Sequence, residues 1–367
     1  MIRTIALLSL ALSFTPGLAF TPRSSAAAEP RLFVELPDDC NTPDGCTLDS
    51  RGNIILSCPN FNNAALVKAG VLEKPAPPKM VRITPDGKLS TWYEFKPDDM
   101  HPETGTVGPM DCAFGPDGDL YLADNHGPFK SRLLRIRVRQ GKAVSCEPVV
   151  RGFGVANAVA WKGDTIYVSD TVLIPADADK GTGLISGVYA IPRADWADGP
   201  VNLQRPTANA GDPRLITRLE SSGRIGFGAD GLTFDRDGNL YCSIFEEGVI
   251  YRIRFDKQGT PQAPELFAKD PKMKSADGIA WRAADDKIYV ADMLINAVQV
   301  VSMNGSVETL HRNGDTDGAD GMLDEPCEVQ LLGDRLIVVN MDWWWDCPWL
   351  TNTKADRPFT LSVIDLD

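Results

Sequence analysis

The sequence predicts an all-β chain folded as a six-bladed β-propeller, and three observations predict it. A hairpin-like unit occurs six times, at 44–58, 110–124, 157–170, 230–244, 277–292 and 327–340. The units start 66, 47, 73, 47 and 50 residues apart, and the shorter spacings suit one four-stranded blade each. Apolar alternation with Gly-containing turns dominates, and no long amphipathic segment argues for a Rossmann or barrel architecture.

The elements follow in chain order. Residues 1–28 pair Arg3 with the apolar run "TIALLSLALSF" and a small-residue stretch, "SSAAAEP". This predicts a secretory leader and an exported protein, periplasmic or secreted, rather than one stably inserted in a membrane. Residues 29–367 are then one domain. "RLFVELP" (31–37) reads as a strand that is free to complete the last blade, as does "FTLSVIDLD" (359–367).

The first unit is "DGCTLDSRGNIILSC" and the second "MDCAFGPDGDLYLAD". The third is "NAVAWKGDTIYVSD", the fourth "DGLTFDRDGNLYCSI" and the fifth "DGIAWRAADDKIYVAD". The sixth, "CEVQLLGDRLIVVN", is the least regular. Tight turns such as "RGN", "DGD" and "KGD" join two strands in each. Outer strands are expected at 132–150, 248–268 and 296–311, and insertions at 61–80, 176–183 and 194–213.

Composition narrows the function. Lys and Arg number 37 against 50 Asp and Glu, a net charge of -13, with no basic run, so nucleic acid is not an expected partner. A closed ring of blades leaves no edge for a second subunit to cover, which makes a monomer the expectation. The eight cysteines suit disulfides in an exported chain, with Cys40/Cys46 and Cys327/Cys347 as local pairs. No paired CxxC motifs support a zinc ribbon.

Aligned on their first strands, the six units place Asp44, Met110, Asn157, Asp230, Asp277 and Cys327 at one equivalent position. In a closed propeller this is a ring at one mouth of the central channel. Three carboxylates and an amide there repel unless something neutralises them. Asp44, Asn157, Asp230 and Asp277 are therefore candidate metal ligands. Calcium suits oxygen donors in irregular geometry, while magnesium demands tighter geometry. Asp-Gly and Asn before a strand are also ordinary turn formers.

The second strands should end at the same mouth, bringing Asn125, His126, Asp170 and Asp292 near it. His126, in "ADNHG", is the one of three histidines best placed as acid, base or hydrogen-bond donor. "MDWWWDCPW" (341–349) offers Trp343, Trp344 and Trp345 as walls of a pocket. Asn125 and Asp170 complete the expected substrate pocket.

These segments resemble the gluconolactonase and regucalcin-like enzymes, relatives of diisopropylfluorophosphatase and paraoxonase. The resemblance covers about residues 40–345 and rests on "ANAVAW" (156–161), "ADGLTF" (229–234) and "ADGIAW" (276–281). It implies a six-bladed propeller with calcium at the mouth that hydrolyses lactones, esters or organophosphates. It makes Asn157 a ligand, and Asp230 or Asp277 a ligand that doubles as base. The family's first acidic ligand is a Glu; this chain has Asp44 in "PDGCTL", with Glu325 and Glu328 in reserve. The expected activity is calcium-assisted ester or lactone hydrolysis of a small-molecule substrate. Asp230 or Asp277 would activate water, and His126 or Asp292 would pass the proton to the leaving alcohol. The competing expectations are phosphotriester hydrolysis at the same metal and a non-enzymatic binding propeller, since "NGDTDGADGMLDEPCEV" (313–329) is similar to the NHL type. No GxSxG motif supports a serine esterase.

Overall fold

Each hairpin unit forms the two inner strands of a blade. The computed structural model describes residues 29–208, 210–343 and 345–366, so the expected leader and Trp344 lie outside the described residues. Among these residues there are six sheets, antiparallel except for one short parallel edge strand in the second. Their inner strands are Cys46–Leu48, Pro109–Phe114, Ala156–Lys162, Ala229–Phe234, Ile279–Arg282 and Pro326–Leu332. Successive inner strands touch in cyclic order, and the last touches the first. These strands therefore line the axis. No described helix is long and apolar enough to cross a membrane.

The hairpin turns show why the unit repeats. Asp49 Oδ1 accepts from the backbone N–H groups of Arg51 and Asn53, at 2.8 and 2.9 Å. Asp235 does the same for Asp237 and Asn239, at 2.9 and 2.8 Å. Gly52 and Gly238 then take φ of 78° and 77°, which a side chain rarely adopts. An Asp at the turn's start and a Gly three residues on are thus one local device.

Both chain ends build the sixth blade. Arg31–Leu36 pairs antiparallel with Phe359–Asp365, which pairs with Arg335–Asn340. The N-terminal strand is outermost, so closing the ring requires the two ends to meet. The insertions are structured: 61–80 carries the helix Asn63–Lys68, and within 194–213 Val201–Asn202 adds a parallel strand to the second blade. The core is divided between blades. Fully buried Tyr121, Tyr189 and Tyr241 are among the largest side chains filling it.

The expected disulfide pairing is corrected. Cys40 has Cys58, not Cys46, as its thiol neighbour. Cys46 opens an inner strand, and its charge environment is that of the channel: Glu328, Cys112, Asp111 and Asp44. Cys327 Sγ lies 3.5 Å from the Pro43 carbonyl and 3.6 Å from that of Val339, not beside Cys347.

Candidate active site

The equivalent ring position does face the channel, and a backbone irregularity there doubles it. In the second, third, fourth and sixth blades the pairing of the two inner strands slips at Pro109/Cys112, Ala156/Val159, Ala229/Leu232 and Pro326/Glu328. In the first, Ser57 bonds both Asp44 and Gly45 through backbone groups; in the fifth, Ala291 bonds both Asp277 and Gly278. Two residues thus oppose one, a bulge that re-aims side chains. The residue after each ring position forms a second tier: Gly45, Asp111, Ala158, Gly231, Gly278 and Glu328.

That tier adds two carboxyls that strict alternation would turn away. A side chain at Gly45 would run into Asp111, and one at Gly278 into Glu328. Small neighbours therefore make room for the two acids. Sequence reasoning misses Asp111 and holds Glu328 only in reserve. The readable signal is four Gly or Ala residues at one repeat position, with acids at the other two.

Five carboxyls meet in the channel: Asp44, Asp111, Asp230, Asp277 and Glu328. Burial pushes Asp44 up to about 7, and Asp111 to about 7 although the N–H groups of Val159 and Cys112 bond to it. Burial takes Asp230 to about 8, against the stabilising hydrogen bond with Asp277. Asp277 stands well above the carboxylate range, through burial first and then the charges of Asp230 and Asp44. Glu328 does so through burial and the charge of Asp111. Among the described residues, no basic side chain acts on any of the five.

Above them lies a cavity of about 470 Å³, lined by Asp44, Asn157, Asp230, Asp277 and Asn125 on its polar side. Asn157 Nδ2 donates to Asp230 Oδ2 at 2.9 Å. The other wall is apolar: Phe61, Phe227, Phe245, Met110, Met293, Met341, Trp343, Trp345 and Val155. Trp343 and Trp345 stack with centroids 5.1 Å apart and planes within 9°. Phe61 lies against Trp343, and Phe227 and Phe245 against Trp345.

Three expected site residues do not line this cavity. Asp170 is fully buried and accepts from the N–H groups of Gly154 and Val155, both at 2.7 Å. Asp292 accepts from the N–H groups of Lys274 and Ser275, from Ser275 Oγ and from Gln299. Each ties a second strand to the loop entering its own blade. His126 Nε2 stands 2.8 Å from Asp124 Oδ1, and Thr104 Oγ1 is 3.0 Å from its Nδ1. Asp124 is also held by Arg132 at 2.6 Å. His126 thus belongs to a buried ionic network beside the cavity.

Carboxylates and a carboxamide are the donors a hard divalent cation takes, so the ring's chemistry fits calcium. The side chains are turned onto one another rather than spread as ligands. Among the described residues no three His, Cys, Asp or Glu side chains form a ready metal shell.

Fold and site together define a closed six-bladed propeller with an acidic channel beneath an aromatic mouth. This is the propeller fold of gluconolactonase- and regucalcin-type proteins. A gluconolactonase from Xanthomonas campestris superposes with a TM-score of 0.58 at 15% identity, over 95% of this chain and 94% of that one. Regucalcin from Agrobacterium tumefaciens, a calcium-binding protein, gives 0.56 at 13% identity, over 93% and 96%. At such identities the likeness carries the fold. Two curated relatives are named for hetero-Diels-Alderase activity. One, from Phoma sp, is 27% identical over 44% of this chain and 48% of its own length. The other, from Sarocladium schorii, is 26% identical over 36% and 37%. The chain thus spans less than half the length of the curated relatives it matches. No family model matches the sequence.

Proposed function

We propose that this protein is an exported, calcium-dependent hydrolase of lactones or related esters. The observation that carries the reading is the set of five carboxyls in the channel, Asp44 and Asp230 buried and Asp111, Asp277 and Glu328 half-buried, with no basic partner among the described residues. Like charges so placed must hold protons or a cation. Asp44, Asn157, Asp230 and Asp277 would hold calcium, which, when bound, polarises a substrate carbonyl and favours the oxyanion. The propeller's likeness to a gluconolactonase and a calcium-binding regucalcin supports the same reading.

The chain's own residues supply the rest. Asp230 and Asp277 bond to each other, so a proton on one is within reach of the other. An ionised Asp230 or Asp277 accepts the proton of the attacking water and returns it to the leaving alkoxide. Asn157 fixes Asp230 from the side. The stacked Trp343 and Trp345 hold the apolar part of the substrate and exclude water from the reacting carbonyl. Asp292 is left out of the proton transfer because buried N–H and O–H donors already occupy its carboxylate.

The test is hydrolysis of a lactone panel by the purified protein with calcium, after chelation, and after calcium is restored. Activity lost and regained with the ion is the expected result. A folded, calcium-loaded protein inactive on every lactone and ester would sink the reading. The apolar wall favours one second reading, in line with the names of the curated relatives. A neutral buried carboxyl could donate to a carbonyl and promote ring closure of an apolar substrate. That activity would persist after chelation.

A further inference from the structure

Segment 38–42 runs alongside 58–63 and is sewn to it by side chains. Thr42 Oγ1 accepts from the N–H of Phe61 at 2.6 Å, and Asn41 Oδ1 from that of Asn62 at 3.1 Å. Asn60 Nδ2 donates to the Asp39 carbonyl at 3.1 Å. Cys40 and Cys58 sit between these bonds. Both are fully buried free thiols, and each is a near neighbour that acts on the other. Lys79, paired with Cys58 across the first blade, forms an ion pair with Asp39 at 2.7 Å. Its ammonium also acts on Cys40, favouring the thiolate there.

We infer that Cys40 and Cys58 are a disulfide-forming pair that fastens the chain's entry segment to the wall of the cavity. The other channel cysteines have different surroundings. Cys46, Cys112 and Cys327 lie deep in the channel, where burial first and the neighbouring carboxyls second push their thiols up. The Cys40–Cys58 pair combines a second thiol with a neighbouring cation. Thiol–disulfide exchange needs a thiolate to begin.

The oxidant is a low-molecular-weight disulfide such as oxidised glutathione. The Cys40 thiolate attacks one of its sulfurs and releases one thiolate. Cys58 then attacks the Cys40 sulfur of the mixed disulfide, its proton passing to the second departing thiolate. Two protein thiols are oxidised and one small disulfide is reduced to two thiols. Because both sulfurs are buried in the finished fold, the exchange takes place late in folding, as segment 38–42 settles beside Lys79 and before it shuts out the small disulfide. The bond would fix Asp44, four residues beyond Cys40, and Phe61, three beyond Cys58, at the rim of the cavity.

The experiment is refolding of the full reduced chain in oxidised and reduced glutathione, followed by alkylation and peptide mass mapping. A Cys40–Cys58 linkage, lighter by two hydrogens and absent after reduction, is expected, with the other six cysteines alkylated. The linked protein should melt several degrees above the reduced form. C40S and C58S should each leave the remaining partner without an intramolecular link. Lys79→Met should slow formation without changing the pairing. Alkylation of both Cys40 and Cys58 after oxidative refolding, or linkage of either to a different cysteine, would overturn the inference. The result is independent of lactone turnover, so it stands or falls apart from the proposed activity.

Discussion

At the scale of single residues, the channel acids make a prediction that separates chemistry from architecture. Asp230→Asn keeps the volume and the bond to Asn157 within reach but removes a carboxyl that can ionise. If Asp230 serves only the fold, the change should lower stability. If it is ligand and base, hydrolysis falls by about 100-fold or more and calcium binding weakens, while the apo protein becomes no less stable because a like-charge neighbour of Asp277 is gone. The second outcome is the expected one, and kinetics, calorimetric calcium titration and urea unfolding of the same variant decide the matter. Gly278 makes the opposite case. Its N–H bonds to the Cys327 carbonyl at 2.8 Å, and an added methyl would meet the Glu328 carboxyl. Gly278→Ala should cost about 1–3 kcal/mol, seen as a lower urea midpoint, because backbone and a buried acid must both shift. These two residues also mark what the sequence can show. Asp230 is legible as a member of a six-fold position. The reason for its neighbour's smallness is not, since the bulge that brings Glu328 inward is a pairing event between strands.

At the scale of elements, the repeat is legible and the ends of its strands are not. The turn signals at Asp49–Gly52 and Asp235–Gly238 act within a few residues, so a one-dimensional reading captures them. The second strand's final Asp acts across the blade. Asp124 and Asp292 close a second strand and Asp170 lies within one, and all three accept backbone N–H groups from the loop that enters the same blade. The sequence shows the recurring Asp at a mouth and suggests chemistry; the fold uses it as a clamp. Asp292→Ala should therefore destabilise by about 3 kcal/mol, because several buried donors lose their acceptor together. Hydrogen exchange should quicken at Lys274 and Ser275, while KM for any substrate of the central cavity stays near its original value. A large fall in kcat with unchanged stability would restore Asp292 to the chemistry. The aromatic segment divides similarly. Trp343 and Trp345 face the cavity, whereas Trp349 is exposed beneath Arg224. Trp345→Ala should raise KM most for apolar acyl groups, a selectivity that a panel of lactones of increasing chain length would resolve.

At the scale of the molecule, closing the ring brings a second acidic group together where the sixth blade meets the mouth. Asp324, Glu325 and Asp342 are nearly fully buried, and Asp315, Asp317 and Asp356 add charge around them. Burial pushes Asp324 and Glu325 to about 8, and Asp342 to about 10, with Asp324 and Glu325 raising it further. These side chains hold the seam: Glu325 Oε2 accepts from the Trp343 N–H at 3.0 Å, and Asp342 Oδ2 from that of Asp356 at 2.9 Å. A carboxyl whose folded pKa is raised binds its proton more tightly in the native state than in the unfolded chain. Its stabilising share is complete below the unfolded value near 4 and is lost as pH rises through the folded value. Stability should thus decline from about pH 5 to pH 9, opposite in sign to the gain that salt-bridged carboxylates give. Saturating calcium during the measurement holds the channel acids in one state, so the remaining slope is shared by the seam with Asp170 and Asp292, which burial also raises. Glu325→Gln should flatten that slope by about one proton, or about 1.4 kcal/mol per pH unit at most. It should leave an acceptor for Trp343 in place. Urea midpoints at half-unit pH intervals for both proteins would show it, and parallel curves would mean that Glu325 does not take part. Because Trp343 is both a cavity wall and a partner of Glu325, the alkaline limb of stability should coincide with weaker binding of apolar substrates. The acids that close the ring then also govern the pocket's aromatic side.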